Sequence, residues 1–204
     1  MSLLFIDVET SGLLKRDIPL DSNEQPWCCH IAAELCDDAG RQLASLNTPV
    51  RAHGRAISTA ASNIHGVTST MAGRTGVSEL AALGVLCGRE SLASQARYVI
   101  GHGISFDRDI VTSTLARLGR DAISWVRPGL QFICTMTAAA PFCRIESRHE
   151  SGGYKWPSLD EACGMLLGMA PRSGPHNAWD DLQRAKSLFF HLRSSGAFEM
   201  SEAG

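Results

Sequence analysis

Leu3-Leu4-Phe5-Ile6-Asp7-Val8-Glu9 opens the chain: four apolar residues running into two acids one position apart. A stretch that is apolar at every position, not only at alternate ones, predicts a central strand covered on both faces. Asp7 and Glu9 are two residues apart, so on a strand both carboxylates leave the same face. Two acids at the end of a buried strand are costly to hold unless something pairs with them, and a divalent cation is a natural partner. Taken alone, the same pattern also describes surface acids at a strand end, so the rest of the chain has to decide.

Outward from that strand, residues 27–36 and 42–50 read as a second and a third strand, joined through Asp37-Asp38-Ala39-Gly40 as a hairpin connection. Residues 14–26 are polar and read as a surface loop. Apolar residues at helical spacing occupy 77–92, Tyr98-Val99-Ile100 is a short buried strand, and 106–118 is a helix ended by Gly119. Residues 133–142 pass from strand to helix. The polar stretch 144–153 carries Gly152-Gly153 and is expected to be a mobile loop. Ser158-Leu159-Asp160-Glu161 fits a capping box that starts a helix ending near Gly168, and the last helix covers 177–194. Strands come early and alternate with helices later, which predicts an α/β protein with a mixed sheet flanked by helices. The 204 residues suit a single domain with its core at about 2–195, and no internal repeat or linker interrupts it.

Composition narrows the class. Hydrophobic residues make up 44% and charged residues 20%, the balance of a globular protein. There is no apolar run near the roughly 18 residues a membrane span needs, and 3–8 is too short for a signal-peptide core. Seven cysteines without a repeated spacing point to a reduced, cytoplasmic protein, not to a disulfide framework. Cys28, Cys29, His30 and Cys36 do not complete a zinc site, because Cys28 and Cys29 would face opposite sides of a strand and no paired cysteine motif supplies the other ligands. A net charge of −2 excludes a cation-carpeted nucleic-acid binder. It does not exclude an enzyme that meets phosphate through its own metal ions.

Two helices sharpen the reading of the acids. In the last one, Ala178, Asp181, Ala185, Leu188 and Leu192 follow steps of three and four and form one inward seam. Asp180 falls with Arg184, Ser187 and His191 on a polar face, so Asp181 is the inward acid of the adjacent pair. In the middle helix Asp107 aligns with Val111, Leu115 and Leu118, whereas Asp109 aligns with Thr112, Ser113 and Ala116. Three separate segments thus each aim carboxylate at the interior. His176 is five residues before Asp181, about 140° around a helix, so the two cannot share a helical face. Gly174-Pro175 instead puts His176 in an entry loop.

Asp7-Val8-Glu9-Thr10-Ser11-Gly12, Gly101-His102-Gly103-Ile104-Ser105-Phe106-Asp107 and His176-Asn177-Ala178-Trp179-Asp180-Asp181 resemble the three exonuclease motifs of the DEDDh branch of the DnaQ-like superfamily of 3′→5′ exonucleases. Ile64-His65-Gly66-Val67-Thr68 is similar to a segment common in its proofreading-type members. The motifs occur in the family's order over residues 3–192. The resemblance implies an RNase H-like fold with a mixed five-stranded sheet and helices on both sides. It implies that Asp7, Glu9, Asp107 and Asp181 bind two Mg2+ ions, with Mn2+ an alternative, and that His176 is the general base. It also implies that Thr10 and Ser11 meet the terminal nucleotide, with His65 nearby and Phe106 offering either a stacking face or core packing. One departure is Gly103, where many relatives carry asparagine.

The implied chemistry is hydrolysis of a phosphodiester from the 3′ end of single-stranded nucleic acid to nucleoside 5′-monophosphates. Two cations about 3.5–4 Å apart can steady the attacking and leaving oxygens. Such cations take oxygen ligands, which accounts for four acids and no cysteine in the motifs. An imidazole with an intrinsic pKa of about 6.5 suits proton removal from water near neutral pH. DNA is the expected substrate. An RNA-trimming exoribonuclease is the alternative of the same chemistry, and a silent nucleic-acid-binding module would be expected to lose one of the acids. Arg144, Arg148, Tyr154, Lys155 and Trp156 read either as a guide for single strands or as a solvated loop followed by a tryptophan packed on a helix. The chain reads as a stand-alone enzyme; a homodimer or association with a polymerase stays open.

Overall fold

The apolar run forms the middle of β1 (Ser2–Thr10), which pairs antiparallel with β2 (Cys28–Asp37) and parallel with β4 (Tyr98–Gly101). Strand β3 (Gln42–Pro49) adds antiparallel to β2, and β5 (Gln131–Cys134) adds parallel to β4. The sheet order is β3-β2-β1-β4-β5, the mixed five-stranded sheet that the family resemblance implies. The structure, a computed structural model, describes residues 2–51, 53–120, 125–147, 153–198 and 200. The helices are α1 (Thr59–His65), α2 (Ser69–Thr75), α3 (Glu79–Cys87), α4 (Leu92–Gln95), α5 (Ser105–Arg117), α6 (Thr135–Cys143), α7 (Leu159–Leu167) and α8 (Ala178–Ser194). Among the described residues no helix is long and apolar enough to cross a membrane.

Both faces of β1 are covered, as its unbroken apolar pattern requires. Leu4, Ile6 and Val8 pack with Leu83 and Leu86 of α3 and with Ile110 and Val111 of α5. Leu3 and Phe5 face the other way, onto Ala178, Leu182 and Phe189 of α8. Each of these larger side chains contributes roughly 1.5–3 kcal/mol of burial. Helix α8 is buried along a second stripe as well: Ala185, Leu188 and Leu192 pack on Ala139 and Cys143 of α6 and on Ala162 and Cys163 of α7. The sheet, α8 and the α6–α7 pair are therefore successive layers. Residues 178–192 needed more apolar surface than one seam, and Leu182 and Phe189 supply it.

Local signals set the helix ends near the site. Ser158 and Glu161 form the reciprocal capping box of α7, and Gly168 closes it in the left-handed conformation. The Asn177 side chain accepts from the Asp180 backbone N–H at 2.9 Å, starting α8 one residue before Ala178.

Three expectations need correction or completion. The single helix predicted over 77–92 is two: Ser78 caps α3, the backbone becomes extended at Gly88, and Ser91 caps the four-residue α4. The seven-residue helices α1 and α2, each started by a side-chain cap from Ser58 and Thr68, carry too few turns for a periodicity to announce them. In the loop, residues 148–152, Arg148 among them, lie outside the described residues, while Glu146 and Tyr154 form an antiparallel bridge and Lys155 pairs with Glu161 at 2.7 Å. Trp156 is not packed on a helix; it is 62% exposed.

One buried polar cluster fastens α8 to the sheet. Glu34 of β2 is buried, and its carboxylate accepts hydrogen bonds from Lys186 and Gln183 of α8 and from the Cys36 thiol at 3.1 Å. Burial pushes the Glu34 carboxyl upward, but these donors hold it below its usual value. The stabilisation is therefore fully present above the ordinary glutamate range and fades as pH falls through the lowered folded-state value. Lys186→Met is expected to cost about 3 kcal/mol in urea unfolding at neutral pH, because it strands a buried carboxylate. Adding Glu34→Gln to that variant should recover part of the loss; a neutral effect of Lys186→Met would contradict this role.

Candidate metal and catalytic centre

The centre lies where β1 outruns its parallel neighbour. Pairing between β1 and β4 stops at Phe5 and Ile100, while β1 continues to Thr10 alongside β2 alone. The crevice at the carboxyl ends of parallel strands is where open α/β sheets place their ligands. At Gly101 a Cβ would lie 3.0 Å from the Ile6 carbonyl oxygen and 2.9 Å from Ile104, so the turn into α5 passes too close to β1 for a side chain. That approach brings Asp107, in the first turn of α5, against β1. Its Oδ1 accepts the Val8 backbone N–H at 3.0 Å, on the side of β1 that β4 no longer serves.

Asp7 and Glu9 leave the α8 face of β1, as two-residue spacing demands, and Asp181 comes to them from the first turn of α8. Oxygens of Asp7, Glu9 and Asp181 all lie within 4.8 Å of one another, a spacing that can hold a metal ion. Asp107 is close enough to Asp7 to raise its pKa. His176 lies in the loop just ahead of Asn177, its backbone N–H bonded to the Ile64 carbonyl at 2.7 Å. Its Nδ1 is 3.4 Å from Asp181 Oδ2. The structure thus brings the four acids and His176 together. Asp180 remains at the helix start with Asn177, and Asp109 pairs with Arg108 outside the cluster.

The electrostatics follow from crowding. Burial, then Asp107 and Glu9, push the Asp7 carboxyl well above its usual value, with Arg172 pulling the other way. Burial raises Glu9 to about 7, again against Arg172. Burial likewise raises Asp107 to about 7, opposed by the hydrogen bond from Val8. Glu9 Oε1 is buried with no hydrogen-bond partner among the described residues. A clustered, oxygen-only donor set with an orphaned carboxylate oxygen fits a hard divalent cation. The His176 imidazole is held below its ordinary value, first by partial burial and then by Arg172, so it is neutral at physiological pH.

The remaining expected residues sit around this cluster. The Thr10 hydroxyl donates to the Gly12 carbonyl at 2.6 Å, and the Ser11 hydroxyl accepts from the Trp27 N–H at 3.2 Å. His65 is buried at the end of α1. Its Nδ1 accepts from the Val67 N–H, so Nε2 carries the proton and donates to the Thr10 carbonyl at 3.2 Å. Both ring nitrogens are therefore spent on backbone, and His65 fixes the tip of β1. Phe106 is half-buried against the α3–α5 core.

Two further residues reach this centre, Arg172 unmarked in the sequence and His30 weighed there only as part of an incomplete zinc set. Arg172, in the α7–α8 connection, pairs with Asp181, and nothing in its local sequence marks it. His30 stands directly opposite Glu9 in the β1–β2 register, hence on the same face, and is buried with an unpartnered Nδ1. Burial, then His65, lowers it to about 4, so its ring is neutral beside Glu9.

Strand order and site geometry together define an α/β protein of the RNase H-like exonuclease fold. Among solved structures, E. coli exonuclease I in complex with a 5cy-dA13 oligonucleotide is similar to this chain at a TM-score of 0.69 and 17% identity, covering 95% of this chain and 40% of that one. A zinc-bound form of the E. coli exonuclease I–ssDNA complex matches at a TM-score of 0.66 and 16% identity, over 95% and 40% of the two chains. A product-bound exonuclease I matches at 0.67 and 16%, over 95% and 43%. The chain thus spans about two fifths of the length of these structures. No family model and no curated protein matches the sequence.

The raised carboxyls carry a prediction. Between the ordinary carboxyl range and about 7 the folded protein holds protons on Glu9 and Asp107 that the unfolded chain has lost, so metal-free stability falls as pH rises through that window. In EDTA the melting temperature should decline from about pH 5 to about pH 8. Mg2+ at about ten times its Kd should restore about 1.4 kcal/mol at the upper end, and much less at the lower, where protons compete. A melting temperature that is flat with pH, or indifferent to Mg2+ at pH 8, would count against a cation site.

Proposed function

We propose that this protein is a metal-dependent 3′→5′ exonuclease acting on single-stranded DNA, of the DEDDh, proofreading-like type. The observation that carries the reading is the convergence of Asp7, Glu9, Asp107 and Asp181, from three elements, beside a loop histidine whose Nδ1 is 3.4 Å from Asp181. Oligonucleotide-bound exonuclease I structures of the same fold support single-stranded DNA as substrate.

In this reading Asp7, Glu9, Asp107 and Asp181 hold two divalent cations, Mg2+ or Mn2+. Bound there, the cations would neutralise the scissile phosphodiester and the charge that builds on its attacking and leaving oxygens. The neutral His176 ring directs Nδ1 at Asp181, which favours the proton on Nδ1 and leaves Nε2 as the acceptor for a proton from the attacking water. Its loop position, with 44% of the side chain exposed, gives that proton a route to solvent. Thr10 and Ser11, locked by Gly12, Trp27 and His65, present the rim of β1 to the 3′-terminal nucleotide. Phe106, half-buried, would add a flanking surface. The product is a nucleoside 5′-monophosphate.

The test is digestion of 5′-labelled single-stranded DNA and of its RNA equivalent, with Mg2+, with EDTA, and with the Asp181→Ala and His176→Ala variants. A DNA ladder shortening from the 3′ end, abolished by EDTA and by Asp181→Ala and slowed about 100-fold or more in His176→Ala, is the expected result. A ladder on RNA alone would make the protein an exoribonuclease. No shortening of either strand, with Mg2+ or Mn2+, would refute the enzyme and favour a nucleic-acid-binding module.

A further inference from the structure

Arg172 already stands where a positive charge is needed. Its side chain is only 14% exposed, and Nη1 forms an ion pair with Asp181 Oδ1, an oxygen of the carboxylate cluster. Both atoms are buried away from water. On its other edge Arg172 Nε donates to Asp160 Oδ1 of α7 at 3.0 Å, and Arg184 Nη2 of α8 lies 3.0 Å from the same oxygen. Asp160 is thus a mooring that Arg184 keeps in place whether or not Arg172 moves. The connection bearing Arg172 includes Gly174 at φ +104°, a backbone conformation that favours glycine.

A divalent ion binds carboxylate oxygen at about 2.0–2.1 Å, so it cannot share Asp181 Oδ1 with a guanidinium pressed against the same atom. We propose that Arg172 is the internal counter-ion of this centre: it neutralises Asp181 when no divalent cation is bound and must withdraw toward Asp160 for one to bind. The inference rests on the reading of Asp181 as a metal ligand. It makes Arg172 a positioning residue that sets metal affinity and holds the metal-free centre together, and it explains how a cluster of repelling carboxylates persists without metal.

The experiment is calorimetric titration of Mn2+ into metal-stripped wild type, Arg172→Lys, Arg172→Gln and Asp181→Asn, paired with melting temperatures in EDTA. Expected is about tenfold tighter Mn2+ binding in Arg172→Gln, an intermediate affinity in Arg172→Lys, and a lower metal-free melting temperature in Arg172→Gln. A side chain that only braced the fold would not produce that order of affinities. Should Arg172→Gln fail to fold, Arg172→Lys against wild type decides on the same sign. Equal or weaker Mn2+ binding in the Arg172 variants, with binding lost in Asp181→Asn, overturns the counter-ion and leaves the metal site standing. No Mn2+ binding by any of the four refutes the metal site itself and the inference with it.

Discussion

The mutual repulsion of Asp7, Glu9, Asp107 and Asp181 is what the surrounding structure has to withstand, because each is withdrawn wholly or partly from water. The resistance comes from elements that are stable for other reasons. Leu3 and Phe5 anchor β1 on α8, and Leu4, Ile6 and Val8 anchor it on α3 and α5. Glu34, Lys186 and Gln183 clamp α8 to β2, so Asp181 cannot retreat from Glu9 by a shift of its helix. The Val8 amide, left without a strand partner, takes one oxygen of Asp107 and turns a ladder vacancy into a fixed carboxylate.

The groups around this centre divide by what carries them. All four acids are on regular elements, where neighbouring packing fixes their direction to within a rotamer. His176 and Arg172 both sit on the connection between α7 and α8, which includes Gly174 at a positive φ. The histidine and the arginine are thus carried by a connection, while the four acids are carried by strand and helix.

How much of this was legible follows the range of the determining forces. The β1 run, the capping box at Ser158 and the inward seam of α8 are set by neighbours within a few positions, and they were readable. The choice of Asp181 over Asp180, and of Asp107 over Asp109, needed only helical periodicity, and the burial of Asp107 and Asp181 agrees with it. His65 could be flagged but not understood, since its role depends on Thr10 and Val67 closing around it. The places of His30 and Arg172 beside the acids were not legible for a related reason. One is defined by strand register and the other by a loop whose shape no short-range pattern encodes. The break between α3 and α4 was missed because apolar spacing persists across Gly88 while the backbone does not.

The layering of β1 against α8 has a consequence for how the protein comes into being. Asp7 and Glu9 leave the ribosome before Asp181, which follows more than a hundred and seventy positions later. Closing so long a separation carries an entropic cost that only the packing of α8 on the finished sheet can offset. Until α8 is made, Leu3 and Phe5 lack the helix that covers them, and Asp7 meets only the charges of Glu9 and Asp107. The centre is complete only once α8 packs between the sheet and the α6–α7 pair, and a nascent chain stalled short of that helix would hold three of its four acids.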